Sequence, residues 1–263
     1  MTDIQNNTTR ILWDKFWWSR KNAEDFYSGS GRMISRIIRN IPVRNKRILE
    51  VGAGTGQSSA DLLRAGAQVF LLDYSEMAIE FLKQHKRVNP SLFIVRADAL
   101  ALPFRRGCMD IVFHQGLLEH FHEPKDVLEE NNRVLKNKGW LLADVPQKYH
   151  IYTLVKHLLM IINAWFAGRE TEFTIKQFKK LVGDTGFHIQ NIYGSGMLPS
   201  LLYRTVRMIL QRFRMYLPMY PKQSRMGSVI RKNIQRWFDK ESFLLNFCVH
   251  IGILAQKTDG PLI

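Results

Sequence analysis

Short apolar runs alternate with longer amphipathic stretches through most of the chain, and glycine, proline or small polar residues separate them. Short apolar runs are typical of buried parallel strands, and amphipathic stretches are typical of helices that cover a sheet. The pattern therefore predicts an α/β fold. The predicted strands are 47–51, 68–73, 92–96, 109–114, 139–145, 187–193 and 247–256, and the predicted helices are 57–65, 124–135, 172–183 and one that begins after Ser75.

The turn after the first predicted strand carries three alternating glycines, Gly52, Gly54 and Gly56. A dinucleotide-binding turn would place its third glycine one residue later, where this chain has Gln57. The turn therefore does not fit the dinucleotide-binding pattern. It does not fit a P-loop either, because no Gly-Lys-Ser/Thr sequence follows. Glu50 lies near the end of the strand, and its carboxylate would repel a phosphate but suits a ligand with an ammonium group or hydroxyl donors. The turn predicts a site for a nucleotide-like cofactor.

Acidic and polar residues also follow the next three predicted strands. Asp73 closes the second strand 23 residues after Glu50, near the distance at which an acid meets ribose hydroxyls in such sheets. Asp98 follows the third strand, and Gln115 follows the fourth. Ligands of open parallel sheets bind at the carboxyl ends of the strands, so these side chains are predicted to surround one ligand.

These motifs together resemble the class I S-adenosylmethionine-dependent methyltransferases, and in style the small-molecule and quinone-type (methyltransferase type 11-like) members. The resemblance covers about residues 46–192 and extends to the RVLKNKGW turn at 133–140, where Asn137 and Trp140 depart from the family pattern. It implies a Rossmann-like, doubly wound seven-stranded sheet with helices on both faces, strand order 3-2-1-4-5-7-6 and an antiparallel last strand. It also implies S-adenosylmethionine as cofactor and S-adenosylhomocysteine as product. The cofactor-binding residues implied are Glu50, Gly52, Ala53, Gly54, Gly56, Asp73, Tyr74, Asp98, Ala99, Gln115 and Gly116.

Methyl transfer depends mainly on alignment, and a base is needed only when the acceptor must lose a proton. The candidates near the fourth strand are His114, Glu119, His120 and His122. We favour His120 as the catalytic residue, because it comes just beyond the strand and an imidazole can accept a proton near neutral pH. The alternative is that Glu119 and His120 only orient the loop or cap a helix.

The composition indicates the compartment in which the protein works. The chain has 263 residues, 46% of them hydrophobic, and only two cysteines, Cys108 and Cys248, far apart in sequence. This favours a reducing compartment and argues against a disulfide framework or a cysteine-based metal site. Residues 1–10 are polar and do not resemble a secretory signal. We therefore expect a cytoplasmic protein that needs no metal.

The formal net charge of +15 is concentrated in two flanking segments. Residues 1–47 hold ten Lys and Arg against four acids, residues 197–240 hold ten against one, and the rest of the chain is neutral. We expect an N-terminal helical cap at 1–45 and a methyltransferase domain at 46–263, with helical insertions at about 150–170 and 197–240. The apolar insertion is interpreted either as a lid over the acceptor or as a helix in a membrane interface.

The basic flanks leave three functional hypotheses. The first is methyl transfer to a small-molecule or lipid-linked acceptor, with 1–45 and 197–240 touching an anionic membrane surface. The second is an RNA methyltransferase that holds nucleic acid with its basic flanks, which the sequence pI near 10.0 favours. Against it, the fourth strand leads into His-Gln-Gly-Leu and not into the Pro-Pro-Tyr type of segment. The third, a binding protein that has lost the chemistry, fits poorly with the intact glycine turn.

Overall fold

The computed structural model describes residues 13–14, 31–56, 59–85, 89–150, 153, 170–195, 206, 210, 215 and 244–259. The strands are β1 (Arg47–Val51), β2 (Gln68–Asp73), β3 (Leu92–Arg96), β4 (Met109–Gln115), β5 (Leu135–Pro146), β6 (Phe187–Ser195) and β7 (His250–Lys257). The α-helices are α1 (Gly31–Asn40), α2 (Ser59–Arg64), α3 (Glu76–His85), α4 (Pro124–Val134) and α5 (Ile175–Gly183), and single 3-10 turns lie at Leu118–His120 and Leu244–Phe247.

The strands form one seven-stranded sheet in the order β3-β2-β1-β4-β5-β7-β6. β1 to β5 pair in parallel, whereas β7 runs antiparallel to both of its neighbours, β5 and β6. The predicted doubly wound fold, its strand order and its antiparallel last strand are all confirmed. As a result, the carboxyl ends of the first four strands meet at one edge of the sheet.

Hydrophobic residues cover both faces of this sheet, because successive side chains of a strand point to opposite faces. Ile48 packs in one cluster with residues of α1, α2 and α3. Its neighbour Leu49 packs in a second cluster with residues of α4 and α5. Both side chains are fully buried. The middle of β1 is therefore buried on both faces of the sheet.

The helix boundaries follow from local hydrogen bonds. Ser75 Oγ accepts a hydrogen bond from the Ala78 amide at 3.3 Å, which confirms that Ser75 caps α3. α5 begins at Ile175, later than predicted, because Thr174 and Gln177 form a capping box at its start. Gly66 stops α2 as predicted, with a φ of +85° that favours glycine.

The structure also differs from the sequence prediction in β5, in β7 and in one 3-10 turn. β5 begins at Leu135 and not at Gly139, because Leu135 already pairs with Met109 before an irregularity in the register. β7 begins three residues later than predicted, since Leu244–Phe247 forms a 3-10 turn. The 3-10 turn Leu118–His120 was not predicted at all. Such short turns depend on tertiary contacts and leave little periodic signal in a sequence.

The predicted N-terminal cap and both predicted insertions lie largely outside the described residues. The described part of the cap includes α1, whose Met33, Ile34 and Ile37 are buried against the sheet. The proposed division at residue 45 stays a prediction. Among the described residues, the chain has no helix with the length and apolar character to span a membrane.

Gly252 occupies a crowded position in the middle of β7. It lies in register between Asp144 of β5 and Tyr193 of β6. Tyr193 reaches across it and donates a hydrogen bond from Oη to Asp144 Oδ1 at 2.6 Å, and both side chains are buried. The Arg36 guanidinium of α1 lies 4.2 Å from the centre of the tyrosine ring. The missing side chain of Gly252 thus makes room for a buried polar contact.

We predict that Gly252→Ala destabilises the fold by about 1–3 kcal/mol, because a methyl group would overlap the Asp144 carboxylate and the Tyr193 ring. Urea unfolding of the variant and the wild type measures the change. Gly183→Ala is the matched control, since a Cβ there meets nothing within 4 Å. Equal midpoints for Gly252→Ala and the wild type would contradict the prediction.

Candidate functional site

The glycine turn after β1 has the conformation that its sequence predicts. Gly52, Gly54 and Gly56 have φ angles of +69°, +53° and +57°, a region that side chains disfavour. The turn is tied to β2 because the Ala53 amide donates a hydrogen bond to the Leu72 carbonyl at 3.0 Å. A Cβ on Gly52 would lie 3.0 Å from a methyl carbon of Leu117. Glycine therefore allows the turn to approach the loop after β4 closely.

Asp73, at the end of β2, is fixed by the same turn. Its Oδ2 accepts a hydrogen bond from the Gly54 amide at 2.9 Å, and its Oδ1 accepts one from the Ser75 amide at 2.9 Å. Burial raises the pKa of this carboxyl group, and the nearby Asp14 acts in the same direction, whereas the amide hydrogen bonds oppose the change. A ligand that donates hydrogen bonds or carries positive charge would favour the ionised carboxylate.

Glu50 has a different place in the site. It is buried, and its Oε2 accepts a hydrogen bond from Ser59 Oγ at 2.8 Å. Ser59 is the first residue of α2, so this bond connects the strand before the turn to the helix after it. Glu50 is thus a structural anchor of the turn in this structure and does not line the cavity described next.

A cavity of about 440 Å³ opens at the carboxyl ends of the strands. Six of the predicted cofactor residues line it, together with His120, and the other predicted residues build the turn or flank the end of β4. The predicted residues on its wall are Gly52, Asp73, Tyr74, Asp98, Ala99, Gly116 and His120. The predicted residues that are not on its wall are Glu50, Ala53, Gly54, Gly56 and Gln115.

The four candidate bases have different surroundings in the structure. His120 lines the cavity, and its ring packs edge-on against Trp13 with a centroid distance of 4.9 Å. His122 also lines the cavity and places Nδ1 3.2 Å from Glu123 Oε1. Glu119 is buried, and its carbonyl accepts a hydrogen bond from the Thr171 amide at 2.9 Å. His114 is buried within β4, and burial lowers its pKa to about 3, so it is a poor base.

Several wall residues were missed by sequence reasoning. Trp13 is far from the motifs in sequence, and it reaches the cavity beside Asp14, which accepts a hydrogen bond from Ser75 Oγ at 2.5 Å. The aromatic and charged N-terminal stretch was the available signal, but its position relative to the sheet is a tertiary property. Glu123 and Asp126, at the start of α4, were missed because nothing in the local sequence shows that the start of this helix, which was predicted at its observed position, faces the cavity.

The charge of the cavity wall is opposite to that of the chain. The sequence has 38 Lys and Arg against 23 acids, yet the wall, in the part of the chain that the structure describes, carries four carboxylates and neither lysine nor arginine. The four are Asp73, Asp98, Glu123 and Asp126. Such a wall suits a ligand with positive charge or hydroxyl donors and disfavours phosphate. Among the described residues, no cluster of His, Cys, Asp and Glu could hold a metal ion.

Comparison with known proteins finds relatives of part of this chain. Residues 49–143 match the family described as methyltransferase domain. A demethylmenaquinone methyltransferase from Renibacterium salmoninarum is 40% identical over 101 residues, which are 38% of this chain and 41% of that protein. The mitochondrial ubiquinone biosynthesis O-methyltransferase of Schizosaccharomyces pombe is 32% identical over 130 residues, 44% of this chain and 46% of that protein. The chain thus spans less than half the length of these relatives.

Solved structures share the fold at low sequence identity. A chain from the complex between the Haloferax volcanii Trm112 methyltransferase activator and a methyltransferase has a TM-score of 0.66 at 15% identity, covering 96% of this chain and 99% of that chain. The magnesium protoporphyrin IX methyltransferase of Synechocystis, solved with bound S-adenosylhomocysteine, has a TM-score of 0.57 at 17% identity, covering 87% and 81%. Residues 49–143 are thus similar to S-adenosylmethionine-dependent methyltransferases, which supports the resemblance seen in the sequence.

We predict that His114 makes the fold sensitive to acid. Its folded pKa of about 3 lies below the ordinary value of 6.5, so its neutral form favours the folded state and protonation favours unfolding. Its contribution to stability is complete above about pH 6.5 and is lost as the pH falls toward 3, with a slope of up to about 1.4 kcal/mol per pH unit. Urea unfolding between these pH values measures the slope.

His114→Leu removes this titration while filling the buried position with an apolar side chain. As the pH falls, the free energy of unfolding is therefore expected to decrease more in the wild type than in His114→Leu. Acid effects from other groups are common to both proteins and cancel in this difference. Parallel stability curves for the two proteins between pH 6.5 and 4 would refute the prediction.

Proposed function

We propose that this chain is an S-adenosylmethionine-dependent methyltransferase that acts on a small-molecule acceptor of the quinone-precursor type. The observation that carries the proposal is the cavity wall, where Asp73 is bound to the glycine turn and where the described residues include no lysine or arginine. A nucleoside cofactor without phosphates fits this wall, whereas a dinucleotide or nucleoside triphosphate would meet four carboxylates.

Residues of three strand ends would hold this cofactor. The Asp73 carboxylate can accept hydrogen bonds from two ribose hydroxyls, since its own amide partners leave it further acceptor capacity. Asp98 and Ala99, after β3, line the same cavity and would bind the adenine. When bound, S-adenosylmethionine supplies an electrophilic methyl group on a positively charged sulfur. Gly52 and Gly116 line the wall between β1 and β4 and keep it free of side chains.

The acceptor assignment rests on the relatives and on His120. The two relatives described above carry names from menaquinone and ubiquinone biosynthesis. A phenolic or enolic acceptor must lose a proton, and His120, on the cavity wall, is the imidazole we propose to accept it. Its edge-on packing against Trp13 would fix the orientation of the ring.

We further propose that the acceptor is lipid-linked and is reached at an anionic membrane surface. The support comes from the sequence, where the basic excess is concentrated at 1–47 and 197–240. Arg204, Arg207 and Arg214 alternate with apolar residues at helical spacing in the second of these segments. Basic amphipathic segments bind anionic lipid, and each cation near the surface strengthens the attraction.

We predict that Asp73→Ala weakens S-adenosylmethionine binding by roughly 10- to 150-fold, because hydrogen bonds to a charged acceptor contribute about 1.5–3 kcal/mol. Isothermal titration calorimetry measures the dissociation constant. Asp184→Asn is the control, since Asp184 is exposed and pairs with Lys180 far from the cavity wall. An unchanged affinity in Asp73→Ala would place the cofactor elsewhere.

We also predict where methyl groups are delivered. When cell extract is incubated with labelled S-adenosylmethionine and the protein, the label is expected in the lipid fraction and not in the nucleic-acid or soluble fractions. Changing Arg204, Arg207 and Arg214 to Glu should lower labelling of lipid presented in anionic vesicles but not of the same lipid in neutral detergent. Label in RNA would instead support the nucleic-acid hypothesis, and equal labelling by the variant would refute the membrane proposal.

A further inference from the structure

Trp13 and Asp14 are adjacent in sequence, yet their side chains contact two different sides of the cavity. Trp13 lines the wall and packs edge-on against His120, in the loop after β4, with a centroid distance of 4.9 Å. Asp14 accepts a hydrogen bond at 2.5 Å from the hydroxyl of Ser75, which lines the wall beyond the end of β2. In the sheet, β1 lies between β2 and β4. The two adjacent residues therefore connect strand ends that are not neighbours.

Helical geometry explains how adjacent residues reach both sides. Trp13 and Asp14 have helical conformation, and successive side chains of a helix point about 100° apart. Consecutive Cα atoms are about 3.8 Å apart, so a contact that fixes Asp14 also restricts the backbone of Trp13. The position of the indole ring therefore depends on the hydrogen bond that its neighbour makes.

The contact of Asp14 reaches the side of the cavity where Asp73 lies. Ser75 is fully buried, and its amide donates a hydrogen bond to Asp73 Oδ1 at 2.9 Å. Its hydroxyl accepts a hydrogen bond from the Ala78 amide at 3.3 Å. A hydroxyl has a single proton to donate, and here Asp14 receives it. Asp14 is thus bound to the same residue that helps to hold Asp73.

The backbone of His120 and its imidazole are held by different contacts. His120 ends the 3-10 turn, its amide donates a hydrogen bond to the Leu117 carbonyl at 3.2 Å, and Leu118 of the same turn is fully buried. These contacts fix the main chain. The side-chain torsions are a separate degree of freedom with several accessible rotamers. Because the Trp13 ring packs against the imidazole, it limits that rotation.

Resting on the proposed function, we propose that Asp14 is a positioning residue for methyl transfer: its hydrogen bond to Ser75 holds Trp13 where the indole orients the His120 imidazole. Asp14 acts on His120 through Trp13 and not by direct contact. The group that accepts the proton is thereby aligned from the side of the cavity that would hold the cofactor. Alignment of reacting groups is the main requirement of this chemistry.

NMR of the full chain with ¹³C-labelled histidine tests this inference without cofactor or acceptor. The chain has eight histidines, and the His120 signals are those absent from His120→Gln. The indole ring current shifts these signals, and Trp13→Leu gives their position without it. Asp14→Ala and Ser75→Ala should each move them most of the way to that position. Asp14→Asn keeps the acceptor oxygen, so its His120 signals should stay near those of the wild type.

Thr174→Ala is the matched control for Ser75→Ala. Both substitutions remove the N-cap of a helix, but Thr174 does not line the cavity. It should leave the His120 signals unchanged. The inference is overturned if Asp14→Ala leaves these signals at their wild-type position, or if Thr174→Ala moves them as far as Ser75→Ala does.

The rate of methyl transfer at saturating S-adenosylmethionine gives a second readout. Asp14→Ala should lower this rate by about tenfold, because a misaligned base loses part of its contribution. The KM for S-adenosylmethionine should change little, since Asp73 keeps both amide hydrogen bonds. The double variant Asp14→Ala/Trp13→Leu should be no slower than Trp13→Leu alone, because both changes remove the same support.

Rate losses that multiply in the double variant would overturn the inference, since Asp14 would then act independently of Trp13. A wild type that binds no S-adenosylmethionine would instead overturn the proposed function. The NMR comparison needs neither cofactor nor acceptor, so it still decides whether Asp14 positions the His120 imidazole. The two failures are therefore distinguishable.

Discussion

The hydrogen bond between the Gly54 amide and the Asp73 carboxylate is the interaction on which the site depends. It joins the turn after β1 to the end of β2, at 2.9 Å. The turn can present this amide because Gly52, Gly54 and Gly56 all adopt positive φ. The same carboxylate accepts the Ser75 amide at the start of α3. One side chain thus fixes the relative position of two strand ends, a helix and the cavity wall.

Basic and acidic residues are concentrated in different parts of this protein. Most of the basic excess is carried by residues 1–47 and 197–240, whereas the described residues of the cavity wall are acidic. Glu50 is acidic but does not line the cavity. Its carboxylate accepts a hydrogen bond from Ser59 and so supports the turn.

The site residues predicted from the sequence fall into two kinds when placed in the structure. Asp73, Asp98 and Gly116 line the cavity because strand ends of a parallel sheet converge, which is a consequence of fold class. His114 was a candidate base by proximity in sequence, but it is buried near the end of β4, in register with Ala143, and burial lowers its pKa. Successive side chains of a strand point to opposite faces of the sheet. A difference of one residue therefore decides whether a side chain is buried or lies near the edge.

By itself, the sequence determined the sheet, its strand order through the family resemblance, and the acidic and glycine positions at the carboxyl ends of the strands. It could do so because hydrophobic periodicity and glycine spacing are local properties. Only the tertiary structure brought Trp13 against His120 and set Glu123 and Asp126 on the cavity wall. Those contacts join parts of the chain that no local pattern relates, so packing against the sheet decides them.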